Sequence, residues 1–147
     1  MDGQTLYYPG DKEAVLTNPT LNLQTGYAGT FEFSVPPNNP LYDKIKNRSS
    51  MVSVFRDTTE LFYGEVRKQP KVDRYRNKNV YCAGAMSFLA DSIQPQAEYH
   101  DMTPRQMLET FLDIHNNQVE DRKKIYLGKV TITDANDSLY LSLIHIS

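Results

Sequence analysis

The sequence predicts a mainly β fold with inserted helices (α+β), an antiparallel β-barrel or sandwich. Three observations predict it. Apolar residues alternate with polar ones in several short runs, the period of a half-buried strand. Gly, Pro, Asn and Asp punctuate those runs at hairpin spacing. The period then switches once, after Gly84, to the three-and-four spacing of helices.

The first twenty residues hold a turn signal, Tyr7-Tyr8-Pro9-Gly10-Asp11, and a second break at Asn18-Pro19. Leu21 and Leu23 alternate, then Phe31, Phe33 and Val35 alternate with Glu32 and Ser34. Gly26 and Gly29 lie between and suit a hairpin connection, because glycine accepts positive φ. Pro36, Pro37 and Pro40 end the strand, since proline has no ladder donor. Val52 and Val54 form the next strand, Arg56 to Glu60 its turn, and Leu61 to Val66 the return. Gly64 interrupts that aromatic run, which predicts a bulge or a close backbone approach.

Residues 67–79 are strongly polar and read as a long exposed hairpin, with strands from Val66 to about Val72 and from Tyr75 or Arg76 to Tyr81. Arg67, Lys68, Lys71, Arg74, Arg76 and Lys78 form the chain's basic cluster. It is either a solvated tip or a docking surface for an acidic partner, and these six are the candidate partner contacts. Cys82 lies in an apolar strand and reads as a small buried hydrophobe rather than a reactive thiol.

Met86, Leu89, Ala90 and Ile93 share one helical face, predicting a helix over residues 86–93 that Pro95 closes. A second helix is expected over residues 104–117. Thr103 caps it, Pro104 suits its first position and Gln106 completes a capping box. Its stripe is Met107, Leu108, Phe111, Leu112, His115 and Val119, with His115 read as a satisfied core histidine. His100-Asp101 reads as polar filler on a loop. The last strand pair is expected at residues 128–133, with Val130 and Ile132 inward, followed by a turn at Asp134-Ala135-Asn136-Asp137 and a strand from Ser138.

Bulk properties exclude several classes. The chain of 147 residues carries a net charge of −2, with a pI near 5.9, which argues against a general nucleic-acid binder. It is 39% hydrophobic, with ten tyrosines, six phenylalanines and no tryptophan, which suffices for a packed core. No apolar run approaches the ~20 residues of a spanning helix, so no membrane insertion is expected. Acidic residues in the first twenty positions argue against a secretory signal. One cysteine excludes an internal disulfide framework and a cysteine zinc site. The three histidines are scattered, Asp134 to Ser138 lacks the glycine and distal acid of a calcium loop, and glycine-rich phosphate loops are absent. The expectation is therefore no catalytic residue, no cofactor and no metal.

Order and spacing carry a resemblance. The relevant stretches are Asn22-Leu23-Gln24 to Val35-Pro36, Leu61 to Val66, Tyr81 to Ser92, Thr103-Pro104 to Val119, and Gly128 to Asp134. Together they resemble the N-terminal part of a phage tail-tip protein, of the prophage endopeptidase tail or phage minor structural protein family. Structural relatives of that family are the baseplate hub proteins of tailed phages. The resemblance covers most of residues 15–140, although each motif is loose. It implies a homotrimeric hub of β-barrel domains joining the tail tube to the tip. The implied partners are a tail tube or distal tail protein and tail-tip proteins. The implied place is the virion tail, assembled in the bacterial host cytoplasm. It transfers no catalytic residue, and any peptidoglycan-degrading or receptor-binding region lies further along such chains.

On this reading residues 1–84 form a β-barrel-like hub domain, and residues 85–140 form a helical insertion with the start of a second, truncated β domain. Residues 141–147 resemble a translated sequencing adapter and are expected to be a non-native tail, although they also alternate as a strand does. His145 receives no role. Two other readings compete. A cell-wall hydrolase or endopeptidase needs a His, Cys or paired-acid site. A β-rich binding module for a cell-surface sugar or protein would use the many tyrosines as stacking surfaces.

Overall fold

The structure is a computed structural model that describes residues 1–132 and the backbone of residues 139–143. It divides into two units, Met1–Ser87 and Phe88–Ser147. The fold is mainly β, and its larger sheet is antiparallel and curls into a half-barrel.

The first unit holds β1 (Thr17–Asn22), β2 (Thr30–Val35), β3 (Met51–Arg56), β4 (Thr59–Val66), β5 (Lys71–Val72) and β6 (Lys78–Gly84). They pair in the order β1-β2-β6-β4-β3, with β5 on β6. All the pairings are antiparallel. The expected hairpins form, but β6 inserts between β2 and β4, with Phe31 opposite Cys82 and Val66 opposite Cys82 across the two ladders.

Alternation sorts the faces as expected. Phe31, Phe33 and Val35 of β2 point to one core with Phe62, Val66, Val80 and Cys82. Val35, Val66 and Cys82 are fully buried. Burying a side chain of this size stabilises the fold by ~1.5–3 kcal/mol. Phe31 and Phe33 lie with ring centroids 4.9 Å apart. Leu6, Leu41 and Ile45 cover the core from the loops. Asn39 ties those loops together. Its amide donates to the Leu6 and Val15 carbonyls, both at 3.0 Å, and its oxygen accepts the Leu41 N–H at 2.9 Å. A buried amide satisfied on both ends fixes the proline-rich crossing rather than penalising it.

Gly64 meets the expected close approach. A Cβ there would collide with the Ala83 carbonyl oxygen and lie 2.6 Å from Phe62 Cζ. The expected break at Asn18-Pro19 is instead a bulge inside β1, with Asn18 at φ 52° and a register shift between Thr17 and Thr20. An edge strand tolerates proline there because its outer N–H has no ladder partner to lose.

The helix expected at residues 86–93 is a seven-residue 3-10 helix, Ala85–Asp91. Its expected apolar face is outward: Met86 is 58% and Ile93 81% exposed, while Phe88 is buried. Three residues per turn set Met86 and Leu89 on one side and Phe88 on another. So short a run gains too few i→i−4 bonds to favour the α form.

In the second unit β7 (Ala97–Met102) precedes α1 (Pro104–Asn116). The cap forms as the sequence predicts. Thr103 Oγ1 accepts the Gln106 N–H at 3.1 Å, and Gln106 Oε1 accepts the Thr103 N–H at 2.9 Å. β8 (Leu139–Leu143) pairs antiparallel with β7. Two expectations fail here. Residues 128–132 form no strand, and Ile132 is 75% exposed rather than inward. His100 and Asp101 lie in β7 rather than a loop, at a register shift where Asp101 takes φ 52°. The polar run Glu98, His100, Asp101 hides a strand whose half-buried positions are Ala97, Tyr99 and Met102. Tyr99 stacks edge-on against Phe111 at 5.8 Å. Thr133 and the expected turn at Asp134 to Asp137 lie outside the described residues.

His115 is the satisfied core histidine expected. It is fully buried, with Nδ1 2.8 Å from Ser92 Oγ and Nε2 3.2 Å from the Lys123 carbonyl.

Candidate functional site: the basic hairpin and the open sheet edge

The basic hairpin is built on β5 and β6. Lys71 pairs with Asn79 and Val72 with Lys78, so the turn spans residues 73–77. Asp73 organises it. Its Oδ1 accepts the N–H groups of Tyr75 and Asn77, both at 2.8 Å, and its Oδ2 accepts the Asn77 amide at 3.1 Å. Partial desolvation raises the Asp73 pKa. The Asn77 side-chain bond, the Asn77 and Tyr75 backbone bonds and the Arg74 charge outweigh that and hold the carboxyl below its ordinary value. Arg76 takes φ 67°, and its carbonyl accepts the Tyr42 hydroxyl at 2.7 Å. The tip is therefore held by a carboxylate-centred turn and strapped to the Tyr42–Lys44 segment.

Two of the six predicted contact residues turn inward. Arg67 Nε lies 3.1 Å from Glu65 Oε2, and its Nη2 donates to the Ser87 carbonyl at 3.2 Å. The Glu65 side chain is fully buried and that of Arg67 keeps 11% of its exposure. Lys78 donates to the Tyr42 carbonyl and sits 4.0 Å from the centre of the Tyr42 ring. Both cations serve the fold, because a charge beside an apolar core needs a partner close by.

Lys68, Lys71, Arg74 and Arg76 remain exposed together. Lys68 lies over the Tyr81 ring at 4.0 Å, and Arg74 over Tyr75 at 4.6 Å. Val72 and Tyr75 are 57% and 66% exposed on the same hairpin. The surface is thus cationic with an apolar component. Sequence reading missed the inward turn of Arg67, although the Glu65-Val66-Arg67 spacing placed both charges on one strand face.

The second feature is the free edge of β3. Met51 donates to Asp2 Oδ1 at 2.9 Å, and its carbonyl accepts the Asp2 N–H at 3.1 Å. Both groups therefore point away from β4, and the two-residue period sends those of Ser53 the same way. Asp2 covers the start of the edge. Ser53 and the exposed Phe55 continue it uncovered among the described residues.

Among the described residues no group of three His, Cys, Asp or Glu side chains is placed to hold a metal ion, and no helix is long and apolar enough to cross a membrane. No family model, no curated protein and no solved structure matches this chain.

Proposed function

We propose that this chain is a structural assembly module of a phage or prophage tail tip, a hub joining tail tube to tip as a homotrimer. The observation that carries the reading is the open, curled antiparallel sheet whose β3 edge, beyond Met51, presents backbone groups that are unpaired among the described residues, beside exposed Phe55. Such an edge templates pairing with another chain unless it is covered, and a closed ring of subunits covers it. The basic hairpin supports the same reading, since it offers a second, chemically different surface of the kind a heterologous interface needs. Its partner would be a neighbouring subunit or an acidic tail tube or distal tail protein. On this reading the protein works in the virion tail after assembly in the bacterial host cytoplasm, and it needs no cofactor.

Light scattering on the full chain after size-exclusion chromatography tests the proposal. A species three times the 16.9 kDa chain mass is expected. Phe55→Glu is expected to return it to a folded monomer. Reversing Arg74 and Arg76 to Glu is expected to weaken assembly. A parent chain that stays monomeric up to about 100 μM, far above the Kd of a stable interface, would overturn the reading.

A further inference from the structure

Charge is unevenly placed along this chain. Six cations and Asp73 give residues 67–79 a net charge of +5, while the whole chain carries −2, so the other residues hold −7. The charge that complements the hairpin is therefore in the chain itself, and a second copy offers it.

The hairpin tip is more than a set of cations. Val72, Arg74, Tyr75 and Arg76 are all exposed. Arg74 lies over the Tyr75 ring. The Asp73 carboxylate accepts three hydrogen bonds within the turn, so it is engaged internally and the tip presents cations beside apolar surface. A surface of that kind fits one that joins an apolar side chain to carboxylates.

The end of the β3–β4 hairpin is such a surface. Phe55 sits directly opposite Glu60 in the ladder, so their side chains share a face, and Asp57 follows in the turn. All three are exposed. Arg56 pairs instead with Thr59 and takes the other face, which leaves the Phe55 face acidic. That face is continuous with the β3 edge, which Asp2 covers only at its start.

The two surfaces cannot meet within one chain. β4 and β6 pair only where Gly64 to Val66 lie opposite Gly84 to Cys82. The basic tip lies before the start of β6, and the β3–β4 turn before the start of β4, at the other end of the sheet. On the order of 40 Å of strand separates them, at about 3.3 Å per residue.

We propose that the basic tip docks on the β3–β4 turn of a second copy of this chain. Val72 and Tyr75 pack against Phe55, and Arg74 and Arg76 face Glu60 and Asp57. The inference rests on the assembly reading and names the partner of its basic surface. Because the two surfaces differ, the contact is head-to-tail and repeats from copy to copy until a ring closes. Exposed charges carry much of it, so it weakens as salt rises.

Sedimentation equilibrium of the full chain, at about 50 mM and about 500 mM NaCl, tests the docking. Arg74→Glu with Arg76→Glu is expected to weaken self-association at least tenfold, and so is Asp57→Asn with Glu60→Lys, where asparagine keeps the positive φ of position 57. All four changes in one chain reverse both surfaces together, and this variant is expected to associate within about threefold of the parent. Should either pair unfold the chain by circular dichroism, Arg74→Ala and Glu60→Ala replace them. Their losses are then expected to be less than additive. A parent that associates while the fourfold variant is no tighter than the two pairs would overturn this docking and leave the assembly reading standing. Additive alanine losses would do the same. A parent that stays monomeric would overturn both. Self-association indifferent to the hairpin pair, with binding of single-stranded oligodeoxythymidylate or of phosphatidylglycerol vesicles lost instead, would assign the tip to a polyanion and overturn the proposal.

Discussion

Replacing Arg67 by Met is the sharpest test of how the first unit is held together. Glu65, on β4, and Arg67, just past the end of that strand, flank the fully buried Val66, and Arg67 is an ion-pair partner of a carboxylate with no exposed surface. The variant keeps the side-chain volume but removes the guanidinium. It also removes the Nη2 bond to the Ser87 carbonyl. Breaking a buried pair by deleting one partner costs about 3–5 kcal/mol, most of it the penalty of an uncompensated charge. For a unit the size of Met1–Ser87 each kcal/mol shifts Tm by about 4 °C or more, so a fall of at least about 12 °C is expected. Thermal and urea denaturation followed by far-ultraviolet circular dichroism measures it. Adding Glu65→Leu to Arg67→Met is expected to recover stability to within about 1 kcal/mol of the parent, because two apolar side chains replace two charges. A loss below about 1 kcal/mol in the single variant, or a double variant no better than the single, would refute the argument.

Gly64→Ala is expected to cost about 2–3 kcal/mol, because the new methyl meets a backbone carbonyl that β4–β6 pairing holds in place; denaturation against the parent chain checks it. The hairpin tip is expected to loosen in acid. Asp73 has a lowered folded pKa, so its stabilisation is complete above the ordinary carboxylate value near 4 and is lost as pH falls through the lower folded value. Amide exchange at Tyr75 and Asn77 should rise over that window in the parent, and Asp73→Ala should abolish the pH dependence. Burial pushes the Cys82 thiol up to about 12, so a disulfide reagent at about pH 8 is expected to leave it unmodified in the folded chain and to titrate one thiol after denaturation.

The basic hairpin shows how far a charge pattern can be read. The polar hairpin from Arg67 to Lys78 forms where the sequence expects one, but its first strand is only Lys71–Val72, its second starts at Lys78, and Arg67 and Lys68 lie between β4 and β5. Its division into structural and outward charges is not legible. Lys78 turns inward because Tyr42, 36 positions earlier, brings a ring and a carbonyl to it. Arg67 turns inward because Glu65 is enclosed.

What the sequence determined by itself is local. Alternation at Phe31, Phe33 and Val35 set a face, Gly64 marked a close approach, and Thr103, Pro104 and Gln106 started a helix at the right residue. Each signal involves groups within a few positions, where backbone geometry leaves few options. Only the tertiary structure decided that β6 lies between β2 and β4, that β7 pairs with β8, and that residues 85–91 wind as a 3-10 helix around buried Phe88. Those outcomes depend on which apolar faces and backbone edges meet across long sequence separations. Periodicity reports that a face must be covered, but not by what.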